Sequence, residues 1–123
     1  MRLTIHNVKH IPAQHHAHVA LILEGQPLPE QAEFYLATFN DKAVALAWCE
    51  QQQLSFIAVR DITRRRGIGQ ELLRVIKHAA KQQGYSQLTC QPQAKPNQQA
   101  GLVAFLQSQG FNGQTPVLSC NLE

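Results

Sequence analysis

The chain has 123 residues, 44% of them apolar, a net charge of +3 and a pI near 9.0. That is enough for one domain with a real core and leaves no room for a second, so 1–123 is expected to be a single unit. The apolar fraction excludes a disordered chain, and no apolar run approaches the length of a membrane span.

In chain order, Leu3 to Val8 alternates apolar and polar residues and predicts a first strand. Met1 to Ile5 is too short and too mixed for a signal peptide. Ala13 to Leu23 predicts a short helix, and Gly25 to Pro29 a loop. Phe34 to Phe39 and Ala43 to Cys49 read as strands, joined by Asn40-Asp41-Lys42, which has hairpin-turn chemistry. Gln51 to Gln53 makes the next connection, and an apolar run then extends from Leu54 to Ile62.

A helix begins at Ile68. Its apolar residues Ile68, Leu72, Val75, Ile76 and Ala79 are spaced for one face, while Glu71, Arg74, Lys77, His78 and Lys81 line the other. Gly84 is placed to close it. Gln87 to Gln91 predicts a strand, and 91–99, with Pro92, Pro96 and Asn97, an exposed loop. A helix ending at Gly110-Phe111 follows, and Thr115 to Asn121 is expected to be the last strand.

Between the run ending at Ile62 and the helix starting at Ile68 lies Arg64-Arg65-Arg66-Gly67-Ile68-Gly69. Strand, basic glycine-containing turn and helix in that order suit a pyrophosphate. The first turn of a helix has main-chain N–H groups without partners and the positive end of the dipole. Glycines admit close approach, and arginines supply charge. The P-loop pattern fails because Gly69 is followed by Gln70-Glu71. The dinucleotide fingerprint fails because position 72 is Leu72.

Arg64-x-x-Gly67-x-Gly69 fits the Arg/Gln-x-x-Gly-x-Gly/Ala signature of GCN5-related N-acetyltransferases (GNAT), and Ala104 to Phe111 resembles the helix ending in Gly-Phe that the family carries near its C-terminus. The resemblance implies an α/β (α+β) fold: a mixed, twisted sheet of six to seven strands with helices on both faces. It also implies acetyl-CoA, or CoA, as cofactor.

The family's usual catalytic groups are not evident. A Tyr commonly stands four residues before the Gly-Phe pair, and here that position is Leu106. Many members place a carboxylate on the strand before the turn, where this chain has Ser55, Phe56, Ile57, Ala58 and Val59. Glu50 and Asp61 are the nearby carboxylates, and Asp61 is more simply a partner for the arginines. No catalytic residue is assigned. An acetyltransferase acting on a small or protein amine is the alternative, since some enzymes work by proximity and water chains.

A closer resemblance is to the PanZ (PanM) family, through Val59 to Gln70, the opening Leu3-Thr4-Ile5, the Phe39-Asn40 turn, and Ala104 to Gln107 before Gly110-Phe111. These are short acetyl-CoA sensors with a minimal GNAT fold. They bind the zymogen of pyruvoyl-dependent aspartate 1-decarboxylase, promote its self-cleavage and restrain the mature enzyme. By position, Thr63, Arg64, Arg65, Arg66, Gly67, Ile68, Gly69 and Gln70 would wrap the pyrophosphate. Ile57, Ala58 and Val59 would run beside the pantetheine arm, and Asn40 would face the decarboxylase. Asn40 also suits a left-handed turn position for its own sake. Residues 10–33 and 91–99 depart from the family pattern.

The remaining readings are local. No aromatic interleaving accompanies the arginines, so nucleic acid is not expected. Cys49, Cys90 and Cys120 are odd in number and lack Cys-x-x-Cys spacing, which suggests reduced thiols and the cytoplasm. Cys90 reads as a buried thiol. His6, His10, His15, His16 and His18 lack a cysteine or carboxylate cluster, and no metal site is assigned.

Overall fold

The computed structural model describes residues 3–60, 67–92, 96–113 and 117–122. Six strands form one sheet in the order of the sequence: β1 (Leu3–Val8), β2 (Glu33–Phe39), β3 (Lys42–Glu50), β4 (Gln53–Val59), β5 (Gln87–Cys90) and β6 (Leu118–Asn121). Only β4 and β5 run parallel; every other neighbouring pair is antiparallel. The parallel pair needs a long crossover, which the helix α2 (Ile68–Gln82) supplies. The expected mixed sheet with six strands is what forms.

Both faces of the sheet are covered because its central strands are apolar on both sides. Phe34, Leu36, Ala43, Leu46 and Trp48 pack with Val19 and Ile22 of α1 (His16–Leu23). Tyr35, Ala37, Val44, Ala45, Ala47 and Leu54 pack on the other face with Leu72, Leu73 and Ile76 of α2 and Leu106 of α3 (Pro96–Ser108). Trp48 stacks on Phe56 at 4.4 Å and meets Phe34 edge-on at 5.9 Å, so the single tryptophan is a core residue.

Turn chemistry follows the prediction at the β2–β3 hairpin, where Asn40 (φ 54°) and Asp41 (φ 65°) both sit in the left-handed region. Short polar side chains tolerate that region better than most, which gives Asn40 a structural reason to be there. Both long helices end alike. Tyr85 N–H donates to Ala80 C=O and Gly84 N–H to Lys81 C=O. Likewise, Phe111 N–H donates to Leu106 C=O and Gly110 N–H to Gln107 C=O. This is the Schellman pattern, with Gly84 and Gly110 at φ 92° and 95° in the position that a side chain would strain. The Gly-Phe pair is thus a helix stop followed by a core anchor, Phe111, which is fully buried.

Two boundaries differ from the sequence reading. The segment from Ala13 divides into a 3-10 turn, Ala13–His15, and α1 proper. The stretch 91–99 is not one exposed loop: Pro92 is buried and α3 already begins at Pro96. Proline lacks only an N–H that a helix start leaves unpaired, and its fixed φ suits the first helical position. The start expected for the last strand, at Thr115, lies outside the described residues.

The two edges of the sheet are unlike. β6 is bridged on its outer side by Asn112, which exchanges main-chain hydrogen bonds with Ser119 at 2.7 and 2.8 Å. Among the described residues β1 has no partner strand beyond β2. No helix is long and apolar enough to cross a membrane.

Candidate functional site

The site begins with a change of pairing along β4. On one side β4 pairs with β3 from Gln53 to Val59. On the other it pairs with β5 only at Gln53 and Leu54. The register with β3 shifts at Trp48/Cys49, where Phe56 and Leu54 face successive residues and Ser55 is the extra one. An extra residue bends a strand and redirects it. From Ser55 to Val59, β4 therefore runs on past its last β5 partner.

Which main-chain groups face that side follows from the ladder. Arg60 N–H donates to Val44 C=O at 2.8 Å, so Arg60 and Val44 are a bonded pair. Alternate residues of an antiparallel strand turn their N–H and C=O the other way. Ile57 and Val59 accordingly point theirs away from β3, toward the β5 side. Their side chains pack with the α2–α3 core, whereas Ala58 belongs to the α1 face. The expected strand segment is thus divided by function: the polar groups of Ile57 form an edge, and Ala58 fills the opposite core.

The first turn of α2 stands beyond the end of β4. Gly67 is its N-cap at φ 75° and has no side chain with which to cap the turn. Glu71 N–H makes the first helical bond, to Gly67 C=O at 3.0 Å. The N–H groups of Ile68, Gly69 and Gln70 precede that bond and have no helical acceptor. A Cβ on Gly67 would meet nothing within 4 Å among the described residues, and its φ of 75° is a conformation that glycine adopts at little cost.

Gly69 has a different reason. A Cβ on it would lie 3.0 Å from Cζ of Phe105. Gly69, expected to let a ligand approach the main chain, also lets α3 press its Phe105 ring onto the first turn of α2. Ile68 is buried and Gln70 exposed. Thr63, Arg64, Arg65 and Arg66, with Asp61, lie outside the described residues. Asn40 is exposed at the hairpin tip.

Leu106 occupies the position where a catalytic tyrosine was sought, and it is fully buried in the α2–α3 core. Glu71, at the α2 N-terminus, is engaged with Arg74, whose hydrogen bond holds its carboxyl below the usual range.

A second concavity was not legible in the sequence. A cleft of about 360 Å³ lies over the start of β4, lined by Pro27, Leu28, Pro29, Trp48, Glu50, Gln53, Ser55, Gln26 and Gln91. Of these, Glu50 and Ser55 attract attention in the sequence, but nothing there joins Gln91 or the 26–29 loop to them.

All three cysteines are free and buried. Burial pushes Cys90 up to about 11, and burial, then Cys90 and Glu33, push Cys49 up to about 12. Tyr35 is raised by burial first, then by Cys49 and Glu33. These groups favour folding in their neutral forms. Their contribution is complete below about pH 9 and is lost as pH climbs through 11 to 12. The urea midpoint is expected to hold between pH 7 and 8.5 and to fall steeply from pH 9 to 11, with a shallower fall in Cys90→Ala. An identical pH profile in that variant would show the thiol to be a bystander.

The histidines are dispersed. His6 Nε2 lies 3.2 Å from Thr38 Oγ1, and His16 Nε2 lies 3.0 Å from Ile11 O. Among the described residues no group of three or more His, Cys, Asp or Glu side chains comes together as a metal site.

Comparison with known proteins places this geometry. An acetyltransferase of the GNAT family from Desulfovibrio desulfuricans superposes with a TM-score of 0.80 at 17% identity, covering 99% of this chain and 100% of that one. A structure described as an N-acetyl transferase from E. coli bound to coenzyme A gives 0.78 at 24% identity over 98% and 99%. A GNAT acetyltransferase from Elizabethkingia anophelis with acetyl-CoA bound gives 0.69 at 20% over 97% of each chain. No curated protein sequence matches. The family model of the acetyltransferase (GNAT) domain PanZ matches residues 3–119, and the chain therefore belongs to the PanZ family of GNAT domains.

Proposed function

We propose that the protein binds acetyl-CoA, or CoA, and in that state promotes self-cleavage of the zymogen of pyruvoyl-dependent aspartate 1-decarboxylase, controlling the mature enzyme thereafter. The observation that carries this reading is the match to the PanZ family over residues 3–119, which spans both the β4–α2 unit and the Gly-Phe helix.

The local geometry supports the cofactor half. Ile57 offers an N–H and a C=O at the β4 edge, and the pantetheine arm carries amides that pair with such an edge as an added strand does. The first turn of α2, whose N-cap is a glycine, offers N–H groups to a diphosphate. Thr63 to Gln70, with three arginines, supply the connecting segment and its charge. Two neighbours of the same fold carry coenzyme A and acetyl-CoA.

The residue types at two positions support the regulatory half. Leu106 has no proton to donate to a leaving thiolate, and Ser55 to Val59 bring no carboxylate to β4. Asn40 is the residue proposed to face the decarboxylase.

The test mixes purified protein with the same organism's uncleaved decarboxylase, with and without acetyl-CoA, and follows chain cleavage by intact mass. Cleavage accelerated only with both components is expected. No complex and no acceleration would overturn the reading, and release of CoA thiol with an amine would replace it by acetyl transfer.

A further inference from the structure

A cleft of about 390 Å³ lies at the other end of α2 from its first turn, where that helix meets the end of α3 and the end of β6. Lys77, His78 and Lys81 line it from α2, and Asn112 from beyond the α3 stop. Cys120 and Leu122, both buried, give it an apolar floor. Among the described residues no acidic side chain lines it.

Lys77 is held in place. Its ammonium donates to Gln109 C=O and lies 5.9 Å from the centre of the Phe111 ring. That carbonyl takes one of its three N–H groups. Gly110 keeps the space beside it open, since a Cβ there would lie 3.4 Å from Cys120 Sγ and 3.8 Å from Lys77 Nζ. The Asn112 amide donates to Gly110 C=O at 3.1 Å and has a second N–H to offer. His78 and Lys81 are exposed, and their side chains make no hydrogen bond or ion pair with the described residues.

Lys77 and Lys81 stand one helical turn apart, about 6 Å, where like charges repel. The negative end of the helix dipole accounts for Lys81, in the last turn, but its effect has faded at Lys77. An anion between them relieves the repulsion. A lone phosphate fits poorly, because it favours N–H groups converging at the positive end of a helix, and this end is negative. Two carboxylates spaced like the two ammoniums, on a short apolar body, match both wall and floor. We infer that this cleft binds a short aliphatic dicarboxylate. One carboxylate pairs with Lys77 and the Asn112 amide, the other with Lys81 and His78, and the methylenes lie over Cys120 and Leu122. The site is separate from the one proposed for acetyl-CoA, since Lys77 lies about 12 Å beyond Gly69 along α2.

The experiment titrates the full-length, 15N-labelled protein with glutarate, with its neutral diamide and with butyrate, at constant pH and ionic strength. Saturable shifts of the Gly110 and Asn112 amide signals are expected with glutarate and none with the diamide. Butyrate, with one carboxylate, should bind roughly fivefold more weakly, and so should glutarate to Lys81→Gln. Excess CoA should leave the glutarate affinity unchanged. Equal shifts with the diamide, butyrate binding as tightly as glutarate, or undiminished binding by Lys81→Gln would each overturn the inference. So would a linear response, shifts centred on the first turn of α2, competition by CoA, or no shift at all.

Discussion

Phe111→Ala is expected to cost about 3–5 kcal/mol of folding stability. The ring is fully buried, and it enters the core from the residue that follows the positive-φ glycine ending α3. Its N–H holds Leu106 C=O at 3.0 Å, so anchor and helix stop are one device. Truncation leaves a cavity between α2, α3 and β6 and loosens the geometry that closes α3. Against the roughly 5–15 kcal/mol that holds a typical domain, the loss is a large fraction. Thermal and urea unfolding should both show it, with a melting temperature lower by roughly 10 °C or more. A loss below about 1 kcal/mol would mean that the core closes without the ring.

Acetyl-CoA is expected to raise the thermal midpoint by roughly 10–15 °C when present at about a thousand times its dissociation constant. A ligand that binds only the folded chain stabilises it by about 4 kcal/mol at that excess. Gly67→Val should remove most of the shift. The N-cap stands at φ 75°, a region that β-branched residues avoid, although a side chain there would have open space. The substitution acts on the path of the chain into α2, so the N–H groups of the first turn no longer converge. The unliganded variant should lose only about 1–2 kcal/mol. A full ligand-induced shift in Gly67→Val would place the anion away from this turn.

Much of the scaffold can be read from local pattern. The apolar stripe from Ile68 to Ala79 fixes α2 and its buried face, and Gly84 and Gly110 fall at the helix ends they were expected to close. Asn40-Asp41 reads as a hairpin and is one. The misreading of 91–99 as one loop has a physical cause. Pro92, Pro96 and Asn97 suggest a loop because prolines break helices, yet Pro96 stands where a helix tolerates proline best. The packing of Gly69 against Phe105 is hidden too, since Phe105 comes from a helix 36 residues later and cannot be seen from the turn.

The edge formed by Ile57 depends on where β4 and β5 cease to pair, a long-range property that residue types do not record. The cleft at Glu50 is hidden for the same reason, since its walls come from segments far apart in the chain. Residue chemistry identified the turn, and topology identifies what lies beside it.

The unequal edges of the sheet set a limit on how copies of this chain associate. Asn112 takes up the outer hydrogen-bonding groups of β6 at Ser119, while β1 has only β2 beside it among the described residues. Strand-to-strand joining through β1 would unite two molecules by their like edges, and the bridge at Ser119 hinders the same joining at β6, so such joining favours a pair over a fibre.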